Sequence, residues 1–475
     1  MDNPGPEPAD LLVRNAYLVT VDADRRILTN GAVAITDGRV VAVGRDVEVS
    51  SNYAAKRIID AAGAVVHPGF VDTHIHLLYH LLRWSTNDGG DWNSSLPIHA
   101  EYASLVDEEA EYLAAKLSAW EMARNGTTCF LEAGNLPIHD GVAAEAIEEV
   151  GIRGLIGKGI KDIDPSADDS NSHQANQHRS SETTRAIKGL GSDLWRNSNS
   201  DALVRGVVNL SGMGSASDEL ELAAKALADE HGVILNQHLS YHKQDVDVDD
   251  HRLGKHAIVH FAEIGLLAEN CTFSHVNFVR DDEVEPFLSG GASIGWCPMA
   301  SMLFGIGGTI RGKHLELYRK GANISLGCDS ANWTSAFDIG EQAFMASLTA
   351  REKTGKTDAL LAEDMVQMAT MNGARSCGMA DEIGSIEVGK RADLVIRRND
   401  LPESVPSLDP LRSVMYSSRA KSVDTVVVNG EVIVEAGHST KLDEIDLKVR
   451  ANEKVQNLFQ KMDRPMPSGD WPHID

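Results

Sequence analysis

Two histidines separated by one residue close the segment Pro68-Gly69-Phe70-Val71-Asp72-Thr73-His74-Ile75-His76. On a β-strand such a pair points to one side, because side chains alternate with a period of two. Two imidazoles on one side suit a divalent metal ion. Three more polar groups end strand-like apolar runs: His238 after Ile234-Leu235-Asn236-Gln237, His275 after Thr272-Phe273-Ser274, and Asp329 after Ser325-Leu326-Gly327-Cys328. A buried imidazole or carboxylate is costly unless something pairs with it. One residue of this kind is more often a satisfied core group. Four such strand ends converging on one barrel mouth shift that weighting toward a metal site.

The elements that must bring these ends together follow from the alternation of the middle of the chain. Strand-like runs occur at 65–71, 126–132, 152–160, 203–210, 233–239, 271–278, 292–297 and 323–328. Amphipathic stretches of helical spacing lie between several of them, as at 108–124, 219–231 and 314–320. Eight βα units predict an α/β fold, a (β/α)8 barrel with insertions, whose active groups stand at the C-terminal ends of its strands. No GxGxxG follows the first strand, which argues against a doubly wound sheet. The polar stretch 162–200 is expected to be a loop near the site, with His173 and His178 outside the ligand set, as is His231.

Both flanks read as β-structure. Asp37-Gly38 and Asn429-Gly430 each separate two short apolar runs, the signal of a tight hairpin. The matching ends predict one discontinuous β-sandwich from residues 1–66 and 381–440 around a barrel of 67–380. An exposed helix over 443–462 and a loose tail, within 441–475, complete the chain.

At these residues the chain resembles the amidohydrolase superfamily, in the mononuclear branch that includes cytosine deaminase and the triazine hydrolases. The opening PGFVDTHIH, Ala369-Thr370-Met371-Asn372-Gly373-Ala374-Arg375, Gly384-Ser385-Ile386 and Val388-Gly389-Lys390-Arg391-Ala392-Asp393-Leu394-Val395 are similar to that family's opening and closing patterns. The resemblance implies one divalent ion held by His74, His76, His238 and Asp329, with His275 touching the metal-bound water or the substrate. Neutral imidazoles and a carboxylate suit Zn²⁺ first, and Fe²⁺, Co²⁺ or Mn²⁺ as well. Asp329 can take a proton from the attacking water and pass it to the leaving group, and His275 can polarise a substrate carbonyl. The fourth strand ends without a lysine and Lys158 and Lys161 read as ordinary loop residues, so one metal is expected.

The chain departs from that branch in three places. Tyr241 stands where deaminases and triazine hydrolases carry the glutamate of His-x-x-Glu, and a phenol is a poor substitute for a carboxylic acid. Tyr241 and His242 either hydrogen-bond a substrate or pack. Asn236 gives Asn-x-His, and Met299, Met302 and Phe304 make the loop after the seventh strand apolar. Trp84, Trp92 and Trp333, each alone a packing residue, together suggest an aromatic-lined pocket. These features resemble the phenylurea hydrolase and molinate hydrolase group. That resemblance implies cleavage of the carbonyl C–N or C–S bond of a small neutral urea, carbamate or amide. The alternative is an aminohydrolase or chlorohydrolase acting on a triazine, pterin, purine or pyrimidine ring. A non-catalytic scaffold is disfavoured by the intact ligand set.

Composition sets the outer limits. The 475 residues are 42% hydrophobic and 24% charged, ordinary for a globular chain, and 44 Lys and Arg against 70 Asp and Glu leave a net charge of −26. Phosphate polyanions and anionic membranes repel such a chain, so a small-molecule substrate is expected, with no nucleic acid and no membrane as partner. Five scattered cysteines without a CxxC pair, and the absence of a basic, apolar leader, predict a cytoplasmic protein with reduced thiols. A homo-oligomer is expected.

Overall fold

In a computed structural model, residues 5–86, 89–90, 92–136, 138–164 and 173–467 are described; for residue 92 and residues 173–180 this extends to the backbone only. Eight short parallel strands form the centre: β1 (Phe70–His76), β2 (Thr127–Glu132), β3 (Arg153–Ile156 with Gly159–Ile160), β4 (Val204–Gly206 with Val208–Gly212), β5 (Leu235–Leu239), β6 (Cys271–His275), β7 (Ser293–Trp296) and β8 (Asn323–Leu326 with Asp329–Ser330). Their residues are almost all buried, the pattern of strands covered on both faces. Three strands are broken. The first half of β8 pairs with β7 and its second half with β1, while the first halves of β3 and β4 pair with each other beside β2 and their second halves pair with each other beside β5. The ring therefore closes as a (β/α)8 barrel.

The helices between the strands start where the sequence supplies caps. Asp107 accepts from the Ala110 amide at the head of Glu108–Arg124, and Ser217 from the Leu220 amide at the head of Asp218–His231. The polar stretch after β3, expected to be a loop, contains a helix, His173–Gly189. Buried Asp162 anchors it, accepting from the Thr183 hydroxyl at 2.6 Å and from both the amide and hydroxyl of Ser217. Its few apolar residues hide its period. The side chains of His173 and His178 lie outside the described residues, and His231 is exposed at a helix end.

Both flanks meet in one nine-stranded sheet. Val65–Pro68 lies between the N-terminal strand Glu7–Val19 and the C-terminal strand Leu394–Arg397. The two expected hairpin turns form, with positive φ at Asp37 and Gly38 and again at Asn429 and Gly430, as type I′ turns require. The turns also touch each other: a Cβ on Gly38 would meet the Asn429 carbonyl oxygen at 2.7 Å. The C-terminal helix Glu444–Lys461 is not a free exposed helix. It buries Leu447, Ala451, Leu458 and Phe459, and Lys454 reaches Asp107 and Glu109 at 2.7 and 2.9 Å. All five cysteines are buried free thiols. Among the described residues no helix is long and apolar enough to cross a membrane.

Candidate functional site

The histidines of β1 end up side by side at the mouth, with ring centroids 4.9 Å apart and planes at 85°. Asp72 fixes their backbone. Its Oδ1 accepts from the amide of His74 at 3.2 Å and from that of Cys328 at 3.1 Å, joining β1 to β8 just below the site. His238 arrives from the end of β5, with Nε2 3.2 Å from Nε2 of His76. Its Nδ1 donates to the Ser211 carbonyl at 2.9 Å, which leaves the Nε2 lone pair free for the centre of the cluster. His275 and Asp329 complete the group from β6 and β8. Asp329 Oδ1 lies 3.7 Å from Nε2 of His74 and 3.6 Å from Nε2 of His76, and Oδ2 lies 3.9 Å from Nε2 of His275. His275 and Asp329 both have φ near +70°, a conformation that side-chain-bearing residues seldom adopt. Strain of this kind persists only where the surroundings hold it, and here it turns both side chains toward one point.

The cluster is largely buried and short of partners. Both ring nitrogens of His74, Nδ1 of His76 and of His275, and Oδ2 of Asp329 are buried without a hydrogen bond. Burial holds His74, His76 and His275 well below the usual imidazole range and His238 at about 4, so the rings are neutral. Burial also pushes the Asp329 carboxyl up to about 7. Neutral imidazole nitrogens and a carboxylate short of a counter-charge suit one divalent cation, which supplies the missing partner and favours the ionised carboxylate. His74, His76 and His238 bring donor atoms within 4.8 Å of one another, as do His74, His275, Cys297 and Asp329.

Above the cluster opens a cavity of about 380 Å³. His76, His238 and His275 form its floor, and Tyr79, His99, Trp333 and Tyr241 form aromatic walls. Tyr79 stacks on His99 at 4.6 Å between ring centroids, and His99 meets Trp333 at 5.2 Å. Tyr241 is buried with its ring 4.4 Å from that of His275, and burial raises its phenol well above the usual range. Among the described residues, no Asp, Glu, Lys or Arg lines this cavity.

Residues 65–433 match the amidohydrolase family. The chain belongs to that family. It is 29% identical over 451 residues to a 5-methylthioadenosine/S-adenosylhomocysteine deaminase of Syntrophobacter fumaroxidans, a match that covers 94% of this chain and 98% of the relative. It is 27% identical over 455 residues to a 5'-deoxyadenosine deaminase of Methanosarcina acetivorans, covering 95% and 99%. Its fold superimposes on a zinc-bound adenosine deaminase of Xanthomonas campestris with a TM-score of 0.83, at 24% identity, covering 96% of this chain and 100% of the other. A zinc complex of atrazine chlorohydrolase from Arthrobacter aurescens follows with a TM-score of 0.80 at 20% identity, covering 94% and 100%. This amidohydrolase thus has proteins named as deaminases among its relatives. Those names lend no support to a phenylurea or thiocarbamate hydrolase.

The structure sorts the other expected site residues. Trp333 and Tyr241 line the cavity. Phe304 stands behind Trp333, 5.7 Å from it. Met299 is buried and Met302 half-buried on the helix Pro298–Leu303, and neither lines the cavity. Asn236 lies inside the barrel, donating to Asn209 at 3.1 Å, and Trp84 is 53% exposed. The side chain of Trp92 lies outside the described residues. His242 caps the helix Lys243–Leu253, its Nδ1 accepting from the Gln244 amide at 3.2 Å, and does not reach the cavity. Lys158 and Lys161 line a separate hollow with Arg185. Sequence reasoning missed Tyr79, His99, Asn135 and Met213. Asn135 and Met213 follow the ends of β2 and β4, a positional signal; Tyr79 and His99 sit in the insertion after β1, where no period marks them.

Proposed function

We propose that His74, His76, His238 and Asp329 hold one divalent ion, zinc first, and that the protein hydrolyses a C–N bond at a heteroaromatic ring carbon of a small neutral substrate. When bound, the ion supplies a Lewis acid that makes water nucleophilic at neutral pH. Asp329 takes the proton of the attacking water and delivers it to the departing amine. His275, neutral and beside Asp329, steadies the charge that develops on the substrate. The uncharged aromatic wall that Tyr79, His99 and Trp333 form beside the histidines is the observation that carries this reading, since such a lining suits a planar aromatic ring. The deaminase names of relatives that align over nearly the whole chain support it.

A linear urea, carbamate or amide is the second reading, and one observation favours it. The uncharged lining offers no carboxylic acid to protonate a ring nitrogen, and Tyr241 follows His238 at the corresponding spacing. Incubation of zinc-loaded protein with 5'-deoxyadenosine, aminotriazines and pterins, reading ammonia, and with phenylureas, reading aniline, separates the two. Ammonia release supports the first reading, aniline release alone transfers the assignment to the second, and release of neither refutes both.

A further inference from the structure

Among the described residues, His99 is the one titratable group of the cavity wall that the cluster below does not use, apart from the tyrosines. It is 6% exposed on the helix Trp92–Leu105 and is clamped between Tyr79 and Trp333. Its Nε2 lies 2.7 Å from the amide Nδ2 of buried Asn332, the third residue after Asp329. An amide nitrogen can only donate, so Nε2 accepts, and a neutral ring then carries its proton on Nδ1. Nδ1 has no hydrogen bond among the described residues and is not sealed from solvent as the orphaned atoms of the cluster are. Its N–H diverges from the Asn332 contact, on a ring that lines the cavity.

We infer that His99 is a specificity-determining residue that donates its Nδ1–H to an acceptor atom of the substrate, a ring nitrogen or a carbonyl oxygen, and that Asn332 positions it by fixing the tautomer. The inference rests on the hydrolase reading above and deepens it: the substrate carries an acceptor on the side facing the helix Trp92–Leu105. A neutral donor there compensates for the uncharged lining, because burial keeps the ring unprotonated, with a pKa of about 4. A substrate that lacks the acceptor leaves a buried N–H unpaired and binds more weakly.

Two measurements test this. Long-range ¹H–¹⁵N correlation of histidine-labelled, zinc-loaded protein, with His99 assigned by its loss in His99→Asn, reads the tautomer directly. Protonated Nδ1 with bare Nε2 is expected, giving way to a mixture in Asn332→Leu. Protonated Nε2 in the parent protein overturns the inference whatever the substrate proves to be. The second measurement uses whichever of 5'-deoxyadenosine and phenylurea is turned over. His99→Asn keeps an amide N–H near the Nδ1 position and should hold KM within about threefold. His99→Gln places its amide near Nε2 and should raise KM about tenfold or more, with kcat changed less. Equal KM in the two variants overturns the inference. Turnover of neither probe refutes the hydrolase reading instead, and the tautomer alone then decides for His99.

Discussion

Gly327 sits at the break in β8, directly behind His74. A Cβ there would lie 2.6 Å from Cβ of His74, 3.0 Å from the His74 backbone nitrogen and 3.0 Å from Sγ of Cys297. Carbon atoms settle at about 3.5–4.0 Å, so Gly327→Ala requires a shift of about 1 Å. The atoms in the way are the root of a side chain and a backbone nitrogen, and β1 is held by ladders to β2 and β8 on its two sides. Overpacking of this kind costs about 1–3 kcal/mol. Any displacement of β1 moves the His74 ring away from the point at which the other donors converge. Disturbing the support of a metal ligand weakens metal binding about 10- to 100-fold. Competition of the variant against a chelator of known zinc affinity, with thermal unfolding of the metal-free protein, gives both quantities. Zinc affinity within about twofold of the parent, together with an unchanged unfolding temperature, would refute the claim that close packing behind His74 sets the site.

Three further outcomes are expected. Asp329→Asn should keep the circular dichroism of the parent and lower kcat at least about 100-fold, since the amide cannot accept the proton; activity within a few-fold would remove Asp329 from that role. His242→Ala should cost about 0.5–2 kcal/mol in unfolding experiments through its lost helix cap and leave turnover unchanged, and a large fall in kcat would place His242 in the chemistry instead. Glu221 is buried against Gln237, whose Nε2 donates to it at 2.9 Å, and burial raises its carboxyl from the usual 4.5 to about 8. Below pH 4.5 it is protonated in both the folded and the unfolded chain. Between 4.5 and 8 the unfolded chain ionises first, so the folded form loses stability relative to Glu221→Gln by up to a few kcal/mol, and above 8 the difference is flat. Chemical unfolding of both proteins across that range checks the sign.

The barrel was legible because its strands are short apolar runs ended by residues that do not belong in a dry core. His238, His275 and Asp329 declared themselves by that mismatch, and His74 and His76 by their spacing. The hairpins at Asp37-Gly38 and Asn429-Gly430 were legible because few residues adopt positive φ at two successive positions. The helix His173–Gly189 was not, since its polar sequence carries little apolar period and its anchor, Asp162, is a tertiary contact. The cavity wall was read less well than its floor. Trp84 lies too near the surface, Asn236 points into the barrel, and His242 is taken up by a helix end, whereas Tyr79 and His99 reach the cavity from an insertion whose path no local pattern dictates.

On the proposed reading, one divalent ion sits where the ends of β1, β5 and β8 converge. A crystal of the zinc-loaded protein, with anomalous difference density collected on both sides of the zinc absorption edge, tests it most directly. A single peak is predicted, about 2.0–2.2 Å from Nε2 of His74, His76 and His238 and from a carboxylate oxygen of Asp329. No peak at that point, a second peak beside it, or a peak that His238 or Asp329 does not touch would contradict the account.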